Sequence, residues 1–96
     1  MVGGAMPEVE LTLEWPDGGR SRLYSPSTVI LEHLAPGQTL SVAELRTRGT
    51  LALRQASERV RARYGFACTR ADEEERRLLE QASRFGEQEL VGIGSA

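Results

Sequence analysis

Two side chains in this sequence could support nucleophilic catalysis, and each is the only one of its type: Cys68 and His33. A cysteine thiolate is a strong nucleophile, and Cys68 follows Arg63 and precedes a predicted helix, a setting that lowers a thiol pKa. Cysteine catalysis also needs a base, and nothing in the sequence brings His33 to Cys68. We therefore predict that Cys68 packs beside Phe66 as a small apolar side chain. A small enzyme or covalent carrier that uses Cys68 is the alternative.

The remaining chemical groups favour structural roles. His33 is predicted to cap the end of a short helix or to lie at the surface. One cysteine and one histidine do not supply the ligands of a structural zinc site, and the glycines match no phosphate-binding fingerprint. Glu73, Glu74 and Glu75 are consecutive, so they should fan around a helix instead of converging as an acid/base pair. We therefore predict no metal and no cofactor.

The charge balance restricts the class of partner. The 96 residues include 12 basic residues, all of them arginine, and 14 acidic residues, for a formal net charge of −2 at pH 7. Such a chain has no overall positive field to attract nucleic acid or anionic lipid. We predict that it does not bind nucleic acid. A DNA-binding regulator is the third class of function considered, and it would show a steep dependence of affinity on salt.

The targeting features of the chain indicate the cytoplasm. One cysteine cannot form an internal disulfide, and no apolar run approaches the ~20 residues of a membrane-spanning helix. Residues 1–5 lack the charged and apolar regions of a signal peptide. We predict a cytoplasmic protein in which residues 1–5 are a disordered extension and residues 6–96 form one α+β domain.

The N-terminal third has the period of a β-sheet. Four apolar residues alternate with polar ones, as is typical of a half-buried strand: Val9, Leu11, Leu13 and Trp15. Pro16-Asp17-Gly18-Gly19 is a turn sequence, so residues 20–24 should return as the second strand of a hairpin. A short helix over residues 28–34 should follow and end at Ala35-Pro36-Gly37.

A long helix is predicted to begin after Ser41, because Ser41 and Glu44 have the spacing of a capping box. One stripe of this helix is apolar or small: Val42, Leu45, Gly49, Ala52, Leu53, Ala56 and Val60. Glycine within a helix costs ~1 kcal/mol relative to alanine, so Gly49 predicts a close approach to the sheet or to a neighbouring helix. Gly65 is placed to end the helix in the left-handed conformation.

Arginines border both sides of that stripe. Arg48, Arg59 and Arg63 lie on one shoulder, and Arg46, Arg54 and Arg61 lie on the other. Glu44 precedes Arg48 by four residues and is expected to pair with it. Arg54 is expected to pair with Glu58 in the same way, which makes a solvated, ion-paired face.

A third helix is predicted to begin at Thr69 and to end at Gly86, with acidic residues in its first turns, where the helix dipole favours them. Its apolar face consists of Ala71, Leu78, Leu79, Ala82 and Phe85. Residues 87–93 should form a closing strand with Val91 and Ile93 on one face. The predicted fold is α+β in the order ββαααβ, with the helices packed on one face of a three-stranded sheet.

Four segments resemble a family of small bacterial nitrogen starvation response proteins. They are Met6-Pro7-Glu8, Trp15-Pro16-Asp17-Gly18, residues 24–30 (Tyr-Ser-Pro-Ser-Thr-Val-Ile) and residues 56–68. The resemblance covers most of the chain from Met6 and weakens in the last third. It implies an accessory role in a nitrogen-assimilation or nitrile-related pathway. It also implies partners encoded beside such proteins: a nitrilase, a radical S-adenosylmethionine enzyme, an acetyltransferase of the GNAT type or a flavoprotein.

Together these observations predict a noncatalytic accessory protein that binds a partner. The expected partner-binding residues are Arg59, Arg63, Tyr64, Phe66 and Cys68. The resemblance transfers no catalytic residue. A homodimer is left open.

Overall fold

A β-hairpin opens the described part of the chain. The structure is a computed structural model that describes residues 8–66 and 69–95. β1 (Val9–Glu14) pairs antiparallel with β2 (Arg20–Ser25). The turn between them is closed by hydrogen bonds in both directions, from Trp15 N–H to the Gly19 carbonyl (2.8 Å) and from Gly18 N–H to the Trp15 carbonyl (2.9 Å). Gly18 has a φ of 88°, which an L side chain rarely adopts. The hairpin prediction is confirmed.

The sheet has four strands where three were predicted. β3 (Thr39–Ser41) pairs antiparallel with β4 (Leu90–Ser95), and the strand order is β2-β1-β4-β3. The extra strand was missed because three residues, with Leu40 alone buried among them, are too few to show a period of two. The α+β class is confirmed, and the order with β3 included is ββαβααβ.

The closing strand also begins later than predicted. β4 starts at Leu90, and the residues before it serve the first long helix instead of the sheet. The carbonyls of Glu89 and Glu87 accept hydrogen bonds from the N–H groups of Val42 (2.8 Å) and Ala43 (3.2 Å). These are among the N–H groups that a helix start leaves without an internal partner. Val91 and Ile93 are buried as predicted.

The short helix after the hairpin is a 3₁₀ helix, Thr28–Glu32. Ser27 caps its start by accepting from Val29 N–H (3.3 Å). His33 stands at its C-terminal end, where its backbone N–H donates to the Ile30 carbonyl (3.0 Å). The helix is shorter than the predicted 28–34, and the capping role of His33 is confirmed.

The long helix α1 (Val42–Tyr64) begins and ends at the predicted residues. Ser41 Oγ accepts from Glu44 N–H (3.1 Å), which is one half of the capping box. The Glu44 carboxylate pairs with Arg48. Gly65 ends the helix at φ 84° and donates its N–H to the Arg61 carbonyl (2.8 Å). All seven residues of the predicted stripe are buried.

The second long helix, α2 (Thr69–Ala82), crosses α1 closely at Gly49. A Cβ atom added to Gly49 would lie 2.5 Å from Leu78 Cδ2, so a side chain fits here only if Leu78 moves. The predicted close approach is therefore to the neighbouring helix. The absence of a side chain at Gly49 lets the Leu78 side chain pack against the backbone of α1, which compensates for the helix-propensity cost of glycine.

Arg54 of α1 forms an ion pair with Glu75 of α2, whereas the sequence predicted a pair with Glu58 within α1. Both nitrogens of the Arg54 fork lie 3.2 Å from the carboxylate oxygens of Glu75. This hydrogen bond raises the pKa of the Arg54 guanidinium. The predicted pair of Arg54 with Glu58 is wrong, because Glu75 offers both oxygens in the planar geometry that a guanidinium prefers.

The buried face of α2 differs from the predicted one at two positions. Leu79 is 37% exposed, whereas Glu74 is only 5% exposed. Glu74 Oε1 accepts the backbone N–H of Tyr24 in β2 (2.9 Å), and Glu74 Oε2 lies 3.0 Å from Arg77. A buried carboxylate is tolerated because both of its oxygens have partners. Phe85 is half-buried and stacks on Trp15 with ring centroids 5.4 Å apart.

The orientation of α1 gives the first prediction. Leu53 is 1% exposed and Leu51 is 48% exposed. Leu53→Ala should lower the free energy of unfolding by ~2 to 5 kcal/mol, since it leaves a cavity in the core. Leu51→Ala should change it by about 0.5 kcal/mol or less. Urea unfolding followed by circular dichroism measures both, and equal losses would show that the helix is rotated.

The contact between the helices gives the second prediction. Gly49→Ala should destabilise the protein by about 1 to 3 kcal/mol, because the new methyl group meets Leu78, which is 1% exposed and has no free space. In a Leu78→Ala background the same substitution should instead stabilise by up to ~1 kcal/mol through helix propensity. A double-mutant cycle of unfolding free energies measures the coupling. Additive effects would mean that the two residues do not touch.

Candidate functional site

The last turns of α1 extend beyond the hydrophobic core. A helix of 23 residues is about 34 Å long, whereas strands of six residues span about 20 Å. Val60 is the last buried residue of α1, and residues 61–66 are all exposed. Four of the five predicted partner-binding residues therefore lie at the protruding end of α1: Arg59, Arg63, Tyr64 and Phe66. We call this end the hairpin tip, where the hairpin is the pair of helices α1 and α2 and not the β-hairpin of β1 and β2.

Two aromatic rings meet at the hairpin tip. Tyr64 is 45% exposed and Phe66 is 67% exposed. Their ring centroids are 6.3 Å apart at an interplanar angle of 35°, and the left-handed Gly65 between them turns the chain so that they can meet. The guanidinium carbon of Arg63 lies 6.0 Å from the centroid of the Tyr64 ring, within the range of a cation–π contact. The tip thus combines apolar area with positive charge.

The position of Phe66 corrects one sequence-based expectation. Phe66 was predicted to pack against the core together with Cys68, but its ring is exposed. The physical reason is that α1 continues past Val60, its last buried residue, so Phe66 follows an exposed end of the helix. Cys68 itself lies outside the described residues, and its predicted burial stays a prediction.

Arg59 lines an open groove between α1 and the 3₁₀ helix. The groove has a volume of about 560 Å³ and is lined by Glu32, Gln55, Glu58, Arg59 and Ala62. A hydrogen bond between His33 Nε2 and Gln55 Oε1 (2.8 Å) joins the two walls of this groove. His33 therefore ties the 3₁₀ helix to α1, and the groove places Arg59 beside two carboxylates.

The three consecutive carboxylates of α2 have separate environments, as predicted. Glu73 is exposed, Glu74 is buried against β2, and Glu75 pairs with Arg54. Among residues 8–66 and 69–95, no group of three histidine, cysteine, aspartate or glutamate side chains could hold a metal ion. Neither helix in that part of the chain is long and apolar enough to cross a membrane.

Two features near β2 escaped the sequence reasoning. One is the inward position of Glu74, which a helical period would assign to an apolar residue. The other is the spacing of Arg70, Arg77 and Arg84 on and just beyond α2. Seven residues are close to two helical turns, so this spacing indicates that the three arginines lie on the same side of α2.

The fold and the hairpin tip define a small α+β protein with two exposed aromatic rings, Tyr64 and Phe66, at one end of its long helix. Comparison of the sequence with protein families covers three of the four segments described above, and Met6-Pro7-Glu8 lies outside the matched range. The family of nitrogen starvation-induced protein NitG matches residues 10–95, and the chain belongs to that family. No curated protein and no solved structure matches the chain.

The exposure of Phe66 gives the third prediction. Phe66→Ser should change the free energy of unfolding by about 0.5 kcal/mol or less. The matched control is Phe85→Ser, which removes the ring stacked on Trp15 and should cost about 1 to 3 kcal/mol. Thermal unfolding of both variants measures the difference. A large loss for Phe66→Ser would place the ring in the core.

Proposed function

We propose that this chain is a noncatalytic accessory protein of the nitrogen-starvation response that binds a protein partner through its hairpin tip. The observation that carries the proposal is the exposed pair of Tyr64 and Phe66, with Arg63 beside the Tyr64 ring. Exposed aromatic area of this kind marks interaction sites. Tyrosine and arginine are also enriched among the residues that dominate binding energy.

The chemistry of the tip describes the partner's surface. Phe66 needs an apolar pocket, since its ring buries most of its area only on binding. Arg59 and Arg63 are one helical turn apart, so their guanidiniums can address two carboxylates on the partner. The enzymes implied by the family resemblance are the candidate partners: a nitrilase, a radical S-adenosylmethionine enzyme, an acetyltransferase or a flavoprotein. The pathway would then be nitrile-related, and the complex cytoplasmic.

A small enzyme or covalent carrier that uses Cys68 is the second candidate. What favours it is that Phe66, which was expected to shield the thiol, is exposed. The two candidate functions predict a different reactivity of the Cys68 thiol. Catalysis or carriage needs a reactive thiolate, so the rate of alkylation of Cys68 and its dependence on pH separate them.

Charge reversal at the tip tests the proposed function. Arg59→Glu combined with Arg63→Glu leaves the buried stripe of α1 intact, so the fold should survive with a modest change in stability. Co-purification with each of the four candidate enzymes, co-expressed in turn, should show that the variant loses the enzyme that wild type retains, because steering and pairing are both lost.

The matched control reverses the same number of charges elsewhere. Arg48→Glu combined with Arg76→Glu alters two arginines that lie away from the hairpin tip and should leave the complex intact. Circular dichroism confirms that all three proteins are folded. A partner held equally by the tip variant and by wild type would remove the hairpin tip from consideration.

A further inference from the structure

The outer edge of β2 runs beside α2, and no strand among residues 8–66 and 69–95 pairs with it. β2 is at one end of the sheet, with β1 as its neighbour. The Tyr24 N–H points away from β1, because it donates to Glu74 Oε1 (2.9 Å). The direction of backbone hydrogen bonds alternates along an antiparallel strand. The N–H and C=O of Arg22 therefore lie on the same outer edge as the Tyr24 N–H.

α2 lies alongside this edge, with its axis aligned with the strand. Glu74 contacts Tyr24, and seven residues later Gln81 Oε1 accepts from Ser21 Oγ (3.1 Å). Seven helical residues and three strand residues each cover about 10 Å, so the helix and the strand stay side by side over this length and run in opposite directions. A groove follows from this alignment.

The groove consists of two adjacent cavities, and Gln81 lines both of them. One has a volume of about 170 Å³ and is lined in part by Ser21, Arg22 and Arg77. The other has a volume of about 160 Å³ and is lined in part by Asp17, Arg20 and Arg84. We call the two together the edge groove.

Arginines border the edge groove on both sides. Arg20 and Arg22 lie on β2, with side chains 72% and 73% exposed, and each is ion-paired with a carboxylate of β1: Arg20 with Glu14 (2.9 Å) and Arg22 with Glu10 (3.8 Å). Such exposed pairs are weak, so a carboxylate of a partner can compete for both guanidiniums. On the helix side, Arg70, Arg77 and Arg84 recur every seven residues. The guanidinium carbon of Arg70 lies 3.7 Å from the Tyr24 ring centroid. Of the two carboxylates that line the groove, Glu74 is buried and Asp17 lies at the turn.

We propose that the edge groove binds an extended, acidic segment of a partner protein as an added strand beside β2. The backbone of Arg22 would pair with the segment, as in other cases of strand addition. Side chains of an extended segment alternate between two faces, so its carboxylates would reach Arg77 and Arg84 on one face and Arg20 or Arg22 on the other. The proposal uses none of the hairpin-tip residues and extends beyond the function proposed above.

The dimensions set the length of the segment. Arg70 and Arg84 are fourteen residues apart, a distance of about 21 Å along a helix. An extended segment of about six residues spans the same distance. A second copy of this chain does not fit, because pairing two β2 edges would set the arginines of one copy against those of the other.

A peptide of defined sequence tests the proposal. The probe is a fluorescein-labelled eight-residue peptide in which pairs of glutamates alternate with pairs of valines, so that each face of the extended peptide carries carboxylates. It is titrated with the full chain and followed by fluorescence anisotropy. It should bind saturably with a Kd below about 1 mM, and the Arg22 amide should gain protection from hydrogen exchange. Arg77→Gln combined with Arg84→Gln should weaken binding by about tenfold or more, because two charge-assisted hydrogen bonds are lost.

Matched controls separate strand addition from charge attraction. A peptide with lysine in place of glutamate should not bind, and a glutamate peptide with alternate backbone nitrogens methylated should bind about tenfold more weakly, since it cannot complete the strand pairing. Arg59→Gln combined with Arg63→Gln should leave binding unchanged, which separates this groove from the hairpin tip. Absence of saturable binding, equal binding of the methylated peptide, or tighter binding of a single-stranded oligonucleotide would each overturn the proposal.

Discussion

The close contact between α1 and α2 at Gly49 is the constraint on which the rest of the structure depends. Because Gly49 has no side chain, the side chain of Leu78 packs directly against the backbone of α1. The pair from Arg54 to Glu75 crosses the same contact. With α2 held at this distance from α1, its other side comes within hydrogen-bond reach of β2, and the edge groove follows from that placement.

Glu74 shows how a helix protects a strand edge. An unpaired edge exposes backbone donors that other chains can use, and one of them, the Tyr24 N–H, is satisfied by a carboxylate that is itself neutralised by Arg77. The protection is local, because the carboxylate reaches one residue of the strand. The backbone of Arg22 stays on the open part of the edge, with arginines on both sides.

Membership in the NitG family assigns the chain to nitrogen starvation without describing a reaction. The two surfaces offer different chemistry to a partner. The hairpin tip presents aromatic area on a protruding helix end, and the edge groove presents a backbone edge between arginines. Under the two proposals the protein would contact two segments of one partner or link two partners, and we expect a substitution on one surface to leave binding at the other unchanged.

Much of the fold could be predicted from the sequence, because its signals are local. The alternation from Val9 to Trp15, the cap at Ser41 and the glycine at position 65 depend on neighbouring residues alone, and the structure has all three. The candidate tip residues were also found in this way, although the exposure of Phe66 was not. What only the tertiary structure decided depends on distant pairings: β3 exists because β4 lies beside it, Arg54 bonds to Glu75 instead of Glu58, and Glu74 is buried because an edge N–H fifty residues away needs an acceptor. Local periodicity carries no record of such partners, since the free energy of a buried polar group is set by the group it meets and not by its place in the helix.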